Sequence, residues 1–234
     1  MTLFKISHQR KTLGDSIYAH LRNEIISLRL KPGEMIYENE VASDFGVSRT
    51  PVREAFRLLV NEEFIEILPQ KGARISYIST KKVKEAWFVR ESLEISAFKK
   101  VAIDWNNEEE RFQKMYKSIV ENLEEQRQAS RKQDYVEFFR LDEVYHKIVM
   151  EEVDNATLLS FINRLRGHVN RLRYLEFYDR KDTNRITDDH QAIFDALINK
   201  NPARVEDLLT KHLRQSPNYL QNVIDKHPDY FQLD

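Results

Sequence analysis

Four side chains in the second half of the chain have types and spacing that suit one shared cation. Asp142 and His146 stand four residues apart in LDEVYHKIV, a spacing that projects both from one face of a helix. His190 opens TDDHQAIFDAL, and His212 lies near the end of DLLTKHLRQ. One carboxylate and three imidazoles make a ligand set for a divalent metal: Zn, Ni, Mn and Fe all suit it. A second group of residues has different chemistry. Arg49, Arg53 and Arg57 recur every four residues through GVSRTPVREAFRLL. Guanidinium groups in such a row can grip guanine O6 and N7, or a pair of phosphate oxygens, with two hydrogen bonds each.

Holding these groups in place takes long helices, and the composition allows them. Hydrophobic residues are 41% and charged residues 32% of 234, enough for two modest domains with separate cores. Five glycines and six prolines leave few turns. There is no cysteine, which removes disulfides and thiolate ligands and fits a reducing compartment. The first residues, MTLFKISHQRK, lack the apolar core of a signal peptide, and no apolar run reaches membrane-spanning length. A cytoplasmic protein with no membrane partner is expected. The formal net charge is -1, and residues 1–78 carry 11 Lys and Arg against 10 Asp and Glu. Nucleic-acid binding therefore has to be argued from where the cations sit.

Residues 1–78 read as a first domain. Ile17, Leu21, Ile25 and Leu28 recur at helical spacing over Thr12–Leu30, and Lys31-Pro32-Gly33 ends that helix. A short helix, about Glu38 to Phe45, stops at Gly46. Ser48 is the N-cap of a third helix reaching Asn61, with Pro51 in its first turn. Phe64–Leu68 and Ala73–Ile78 alternate apolar and polar residues around Pro69-Gln70-Lys71-Gly72, the pattern of a two-stranded hairpin. This order is that of a winged helix-turn-helix. On the third helix Val52, Ala55, Phe56 and Leu59 form the inward stripe, and the arginines form a neighbouring stripe roughly a quarter turn away. That geometry presents the helix's N-terminal half to a major groove.

These segments resemble a known family. LKPGEMI, GVSRTPVREAFRLL and LPQKGARIS look like the DNA-binding domain of GntR-type transcription regulators over roughly residues 12–78. The resemblance implies that Ser48, Arg49, Thr50, Arg53, Lys71 and Gly72 contact operator DNA; Arg57 joins them by its place in the row. Two departures touch local stability rather than the arginine face. Glu63 stands where the family has glycine after the third helix, and Glu40-Val41-Ala42 replaces an acidic-Leu-Ala run.

Residues 79–234 read as helical throughout. The expected helices are Lys81–Asp104, Glu108–Lys132, Tyr135–Val153, Ala156–Tyr178, Asn184–Lys200, Ala203–Gln215 and a last piece from Pro217. Ser79-Thr80 caps the first, while Asn201-Pro202 and Ser216-Pro217 each set a cap before a proline. The expected fold class is mainly α: a winged helix-turn-helix followed by a bundle of six or seven helices. Antiparallel neighbours joined at Lys200–Pro202 bring the start of one helix beside the end of the next, so Asp142, His146, His190 and His212 can converge. The D-x-x-x-H segment, Asn155 and the H-x-x-I-x-x-A-L…H-L pattern resemble the FCD effector domain of the FadR subgroup, over about residues 80–215. That likeness implies that these four residues hold a divalent metal. His168 lies outside the set.

The leading reading is a homodimeric, ligand-responsive regulator on a two-fold symmetric operator, with a small carboxylate such as a sugar acid sensed beside the metal. Arg90, Arg164, His168 and Arg171 are the candidates for holding that effector, with surface ion pairing as the plainer role for each arginine. Two alternatives stay open: a metal-dependent hydrolase or isomerase, and a regulator that senses the metal itself.

Overall fold

The computed structural model describes residues 12–180 and 182–232, except the side chains of Tyr178 and Arg180. The N-terminal MTLFKISHQRK, read above for a signal peptide, lies outside the described residues. The chain divides into two compact units, one of residues 1–78 with Asp229–Phe231, the other mainly Ser79–Pro228.

In the first unit α1 (Leu13–Ile26) opens on a capping box. Thr12 Oγ1 accepts from the Asp15 amide at 3.0 Å, and Asp15 accepts from the Thr12 amide at 2.9 Å. The helix ends four residues before the expected Leu30, because Leu28 turns to a left-handed φ of 57°. The next element is a strand that the periodicity did not foretell, β1 (Met35–Ile36), followed by α2 (Glu38–Asp44) and α3 (Arg49–Asn61). The wing is β2 (Ile65–Leu68) and β3 (Gly72–Ile75), and β1 pairs antiparallel with β3 to give the order β1-β3-β2. The expected hairpin is thus a three-stranded sheet. Its second strand is shorter than Ala73–Ile78, since the chain leaves the ladder after Ile75 and resumes as β4 (Ile78–Ser79). Ile17, Ile25, Val52, Ala55, Leu59, Phe64 and Ile75 pack as one core beneath α3.

The second unit is a bundle of α4 (Thr80–Asp104), α5 (Glu110–Lys132), α6 (Tyr135–Glu151), α7 (Ala156–Arg180), α8 (Thr183–Ile198), α9 (Pro202–Leu213) and α10 (Gln215–Lys226). Ser79 caps α4 by accepting from the Lys82 amide, and Asn201 caps α9 with Pro202 in the first turn. α10 starts earlier than expected. Its N-cap is Arg214, so Ser216 is already helical and Pro217 is the third helical residue; proline is tolerated there because first-turn amides have no helical acceptor. Among the described residues the tail adds a 3-10 turn, Pro228–Tyr230, and a two-residue strand, β5 (Phe231–Gln232). Phe98, Trp105, Phe112, Ile119, Val149, Ile193, Leu197 and Leu209 form the bundle core. Each buried side chain of this size contributes about 1.5–3 kcal/mol. That core clamps the inward faces of α4, α6, α8 and α9, which carry the polar groups described next.

Candidate metal centre and DNA-reading face

Asp142 and His146 come from successive turns of α6, His190 from the first half of α8, and His212 from the last turn of α9. One potential ligand atom from each lies within 4.8 Å of all the others. His212 Nε2 is 3.2 Å from His146 Nε2 and 3.3 Å from His190 Nε2, and His190 Nε2 is 3.6 Å from Asp142 Oδ1. The residues are buried; only His212, at 8%, retains measurable exposure. The rings are held by packing: His190 stacks on Tyr145 with centroids 4.1 Å apart, and His146 lies against Phe98. Each Nδ1 faces an oxygen: Glu94 Oε2 at 2.8 Å from His146, Gln126 Oε1 at 2.9 Å from His190, and Asp189 Oδ2 at 3.7 Å from His212.

Electrostatics favour ligation. Burial would raise the Asp142 carboxyl, but Arg173 and the imidazoles outweigh it and hold the group ionised far below the usual carboxylate range. Arg173 binds Asp142 Oδ2 at 2.6 Å, while Oδ1 has no hydrogen-bond partner. Burial lowers the pKa of His146 despite Glu94, and lowers that of His190 strongly, aided by His212. Three imidazoles and a carboxylate oxygen facing one point fit a divalent cation, which satisfies them all at once.

A buried ionic layer surrounds the cluster. Glu94 binds Arg90 at 2.7 Å and Arg166 at 3.3 Å, and Arg173 also reaches Glu143 at 2.6 Å. Beside it is a cleft of only about 20 Å³, whose lining includes Arg90, Arg173, Glu176, His212, Gln215 and Ser216.

On the first unit, Arg49, Arg53 and Arg57 are exposed along α3, next to the inward stripe of Val52, Ala55, Phe56 and Leu59. Ser48 is the N-cap residue, but its hydroxyl makes no cap hydrogen bond, and Thr50 beside it is exposed. Glu38 Oε2 at the start of α2 receives Arg49 and Arg53 at 2.9 Å each. Desolvation would raise the Glu38 carboxyl, yet the two guanidiniums hold it below its ordinary range. Arg57 has no ion pair among the described residues. Lys71 is exposed at the wing tip and Gly72 follows with φ 100°, where a side chain would strike the Tyr37 ring. Arg49, Arg53, Lys71 and Gly72 line one groove between α3 and the wing.

Comparison with known proteins settles the family. Residues 13–75 match the model described as "Bacterial regulatory proteins, gntR family", and residues 85–215 match the FCD domain. The chain belongs to the GntR family of bacterial transcription regulators, with an FCD effector-binding domain. It is 29% identical to the HTH-type transcriptional repressor RspR of Escherichia coli K12, over 99% of both chains. It is 28% identical to the gluconate operon transcriptional repressor of Bacillus subtilis, over 92% of this chain and 86% of the relative. The solved structure of E. coli McbR/YncC shares the fold at TM-score 0.77 and 20% identity, over 90% of this chain and 98% of that one. The family's members are regulators rather than enzymes, which displaces the hydrolase or isomerase alternative. No helix among the described residues is long and apolar enough to cross a membrane.

Within the FCD domain the sequence-derived effector candidates separate. Arg90 lines the cleft, whereas Arg164, His168 and Arg171 are absent from its lining. Arg164 is exposed, His168 half-buried and Arg171 buried, with burial lowering the Arg171 pKa to about 10. The reason is angular: 164, 168 and 171 make one stripe of α7, while Arg166, Asn170 and Arg173 make another that meets Glu94, Asp142 and Glu143. His168 also stays outside the four-residue cluster. Sequence reasoning missed Arg166, Arg173 and Glu94. Their helical register beside Asp142-Glu143 was a usable signal only once the packing of α7 on α6 was known.

Proposed function

We propose that this GntR-family protein is a homodimeric repressor that senses a small organic acid of the sugar-acid type beside a divalent metal. Asp142, His146, His190 and His212 hold the ion, and the observation that carries the reading is the convergence of their ligand atoms within 4.8 Å. When bound, the ion supplies positive charge and a coordination position for a carboxylate oxygen. Arg90 and Arg173 line the adjoining cleft and supply further cations for an acid. Arg164, His168 and Arg171 have no direct place in this reading. The likeness to a gluconate operon repressor supports both the sugar-acid class and repression. Ser48, Arg49, Thr50, Arg53, Arg57, Lys71 and Gly72 form the DNA-reading set. Two copies read a two-fold symmetric operator in the cytoplasm, each helix-turn-helix taking one half-site.

The size of the cleft gives the second reading its weight. About 20 Å³ holds roughly one water molecule, so an acid must displace Arg173 or the start of α10. A regulator that senses the metal itself needs no such opening. Thermal shift with a panel of carboxylates, with and without Zn2+ or Mn2+, separates the two. Stabilisation by a sugar acid that requires the metal supports the first reading; stabilisation by metal with no response to any acid selects the second. Elemental analysis showing no divalent metal, and none taken up on titration, would sink both.

A further inference from the structure

The three imidazoles face each other through Nε2, and the direction in which His190 points its lone pair is written into the groups behind it. Leu141 O is a carbonyl and can only accept, so the Asn122 group 3.0 Å away is its amide nitrogen, Nδ2. That turns Asn122 Oδ1 toward Gln126, whose Nε2 donates to it at 2.7 Å. Gln126 Oε1 is thereby left facing His190 Nδ1 at 2.9 Å. An amide oxygen accepts, so Nδ1 carries the hydrogen and Nε2 carries the lone pair. Asn122 and Gln126 are buried, at 3% and 0% exposure, so water offers no competing partner. The other two rings have carboxylates nearby, but neither Nδ1 makes a hydrogen bond. His146 Nδ1 faces Glu94, itself fixed by Arg90 and Arg166, and His212 Nδ1 faces Asp189, which accepts from Gln215 Nε2 at 2.6 Å.

We propose that Gln126, oriented by Asn122, is a positioning residue of the metal centre, locking His190 in the Nδ1–H form so that Nε2 is presented to the ion. Of the three rings, only His190 has this lock closed by a hydrogen bond to Nδ1. The assignment rests on the metal reading above for its purpose, but not for its geometry: the lock exists before any ion arrives. An Nδ1–H imidazole is the less common form for a solvated histidine, so the α5 amide chain selects a state that the free side chain disfavours. A ring so held enters coordination without first changing tautomer or rotating.

The test uses the full-length chain with 15N-labelled histidine. In the metal-free wild type, two-bond nitrogen–proton correlation spectra at pH 8 should show His190 as the Nδ1–H tautomer. Gln126→Leu, which removes the acceptor at similar volume, should release His190 toward Nε2–H. It should also weaken Zn2+ binding, measured by competition with a chromogenic chelator, roughly 10–100-fold. Gln126→Glu restores an acceptor and should recover the Nδ1–H form and most of the affinity. A wild-type His190 found as Nε2–H overturns the proposal without any variant needing to fold. Gln126→Leu with unchanged Zn2+ affinity overturns it too. A locked Nδ1–H His190 in a protein that takes up no metal would leave the lock standing and sink the metal reading instead.

Discussion

The two chemistries proposed for this protein rest on opposite uses of single residues. Arg49 and Arg53 are exposed and share one oxygen of Glu38, and pairs of that kind add little to stability. In the proposed DNA-bound state they would exchange Glu38 for DNA. We expect Arg49→Ala and Arg53→Ala to leave the melting temperature unchanged while each costs operator binding about 1–3 kcal/mol if it reads a base. Lys71→Ala at the wing should weaken operator and random duplex alike, as a phosphate contact does. Fluorescence anisotropy on both duplexes distinguishes them, and unchanged affinity in both arginine variants would remove α3 from the interface. The histidines act from inside. Burial first, with His212 adding to the effect at His190, keeps His146 and His190 below their ordinary pKa in the fold. The unfolded chain then binds more protons below its histidine value, near pH 6.5. Metal-free protein should hold its full stability above about that pH and lose it as acid carries the chain toward the depressed folded values. Urea midpoints at pH 8 and pH 5.5 check this; equal midpoints contradict it. Metal occupancy should fall in the same direction, since the ligands must be deprotonated.

At the scale of elements, a glycine-poor chain has ended its helices with other residues. α2 stops in a Schellman turn at Gly46, φ 64°, where Gly46 N–H binds Ser43 O and Val47 N–H binds Ala42 O. α3 makes the same turn with Glu63 at φ 59°: Glu63 N–H binds Val60 O and Phe64 N–H binds Leu59 O. Lys200 at φ 52° does so after α8. The family's glycine is missing after α3, but its backbone conformation is kept, at the strain a Cβ brings to the left-handed region. Glu63→Gly should therefore stabilise the first unit by about 1 kcal/mol, read as a higher urea midpoint with unchanged DNA affinity. A loss of stability would show that the Glu63 side chain contributes more than its backbone costs. The elements best read from sequence were those with a cap and a long period, such as α4 and α9. β1 was not legible, because two residues have no alternation to show and are held by pairing with β3.

At the scale of the molecule, one winged helix covers one half-site, so useful affinity calls for two. The helical unit exposes Phe88 at 76% and Ile103 at 65% on α4, and Phe161 at 55% on α7, apolar side chains of the kind that partner surfaces cover. Sedimentation of the full-length chain should give twice the 28.0 kDa chain mass, with Phe88→Glu shifting it toward monomer. A wild-type monomer at micromolar concentration would refute the dimer. The four candidate ligands come from α6, α8 and α9, so an ion held by them would bind the folded bundle alone. Chelation should lower the melting temperature of the bundle, and an unmoved transition would mean that the cluster holds no ion.

The helix-turn-helix, the arginine row and the four candidate ligands were all legible in the linear sequence. Each depends on local spacing: four residues along one helix for Arg49 and Arg53 or Asp142 and His146, and a left-handed turn between α2 and α3. Tertiary structure decided what surrounds them. Glu94, Gln126 and Arg173 lie 48, 16 and 27 residues from the nearer member of the Asp142–His146 pair, and no period links them to it. Which face of α7 meets α6 separated Arg166 and Arg173 from Arg164, His168 and Arg171. That choice turns on a rotation of about 100° per residue, and it is made by packing a whole helix rather than by the identity of any one residue on it.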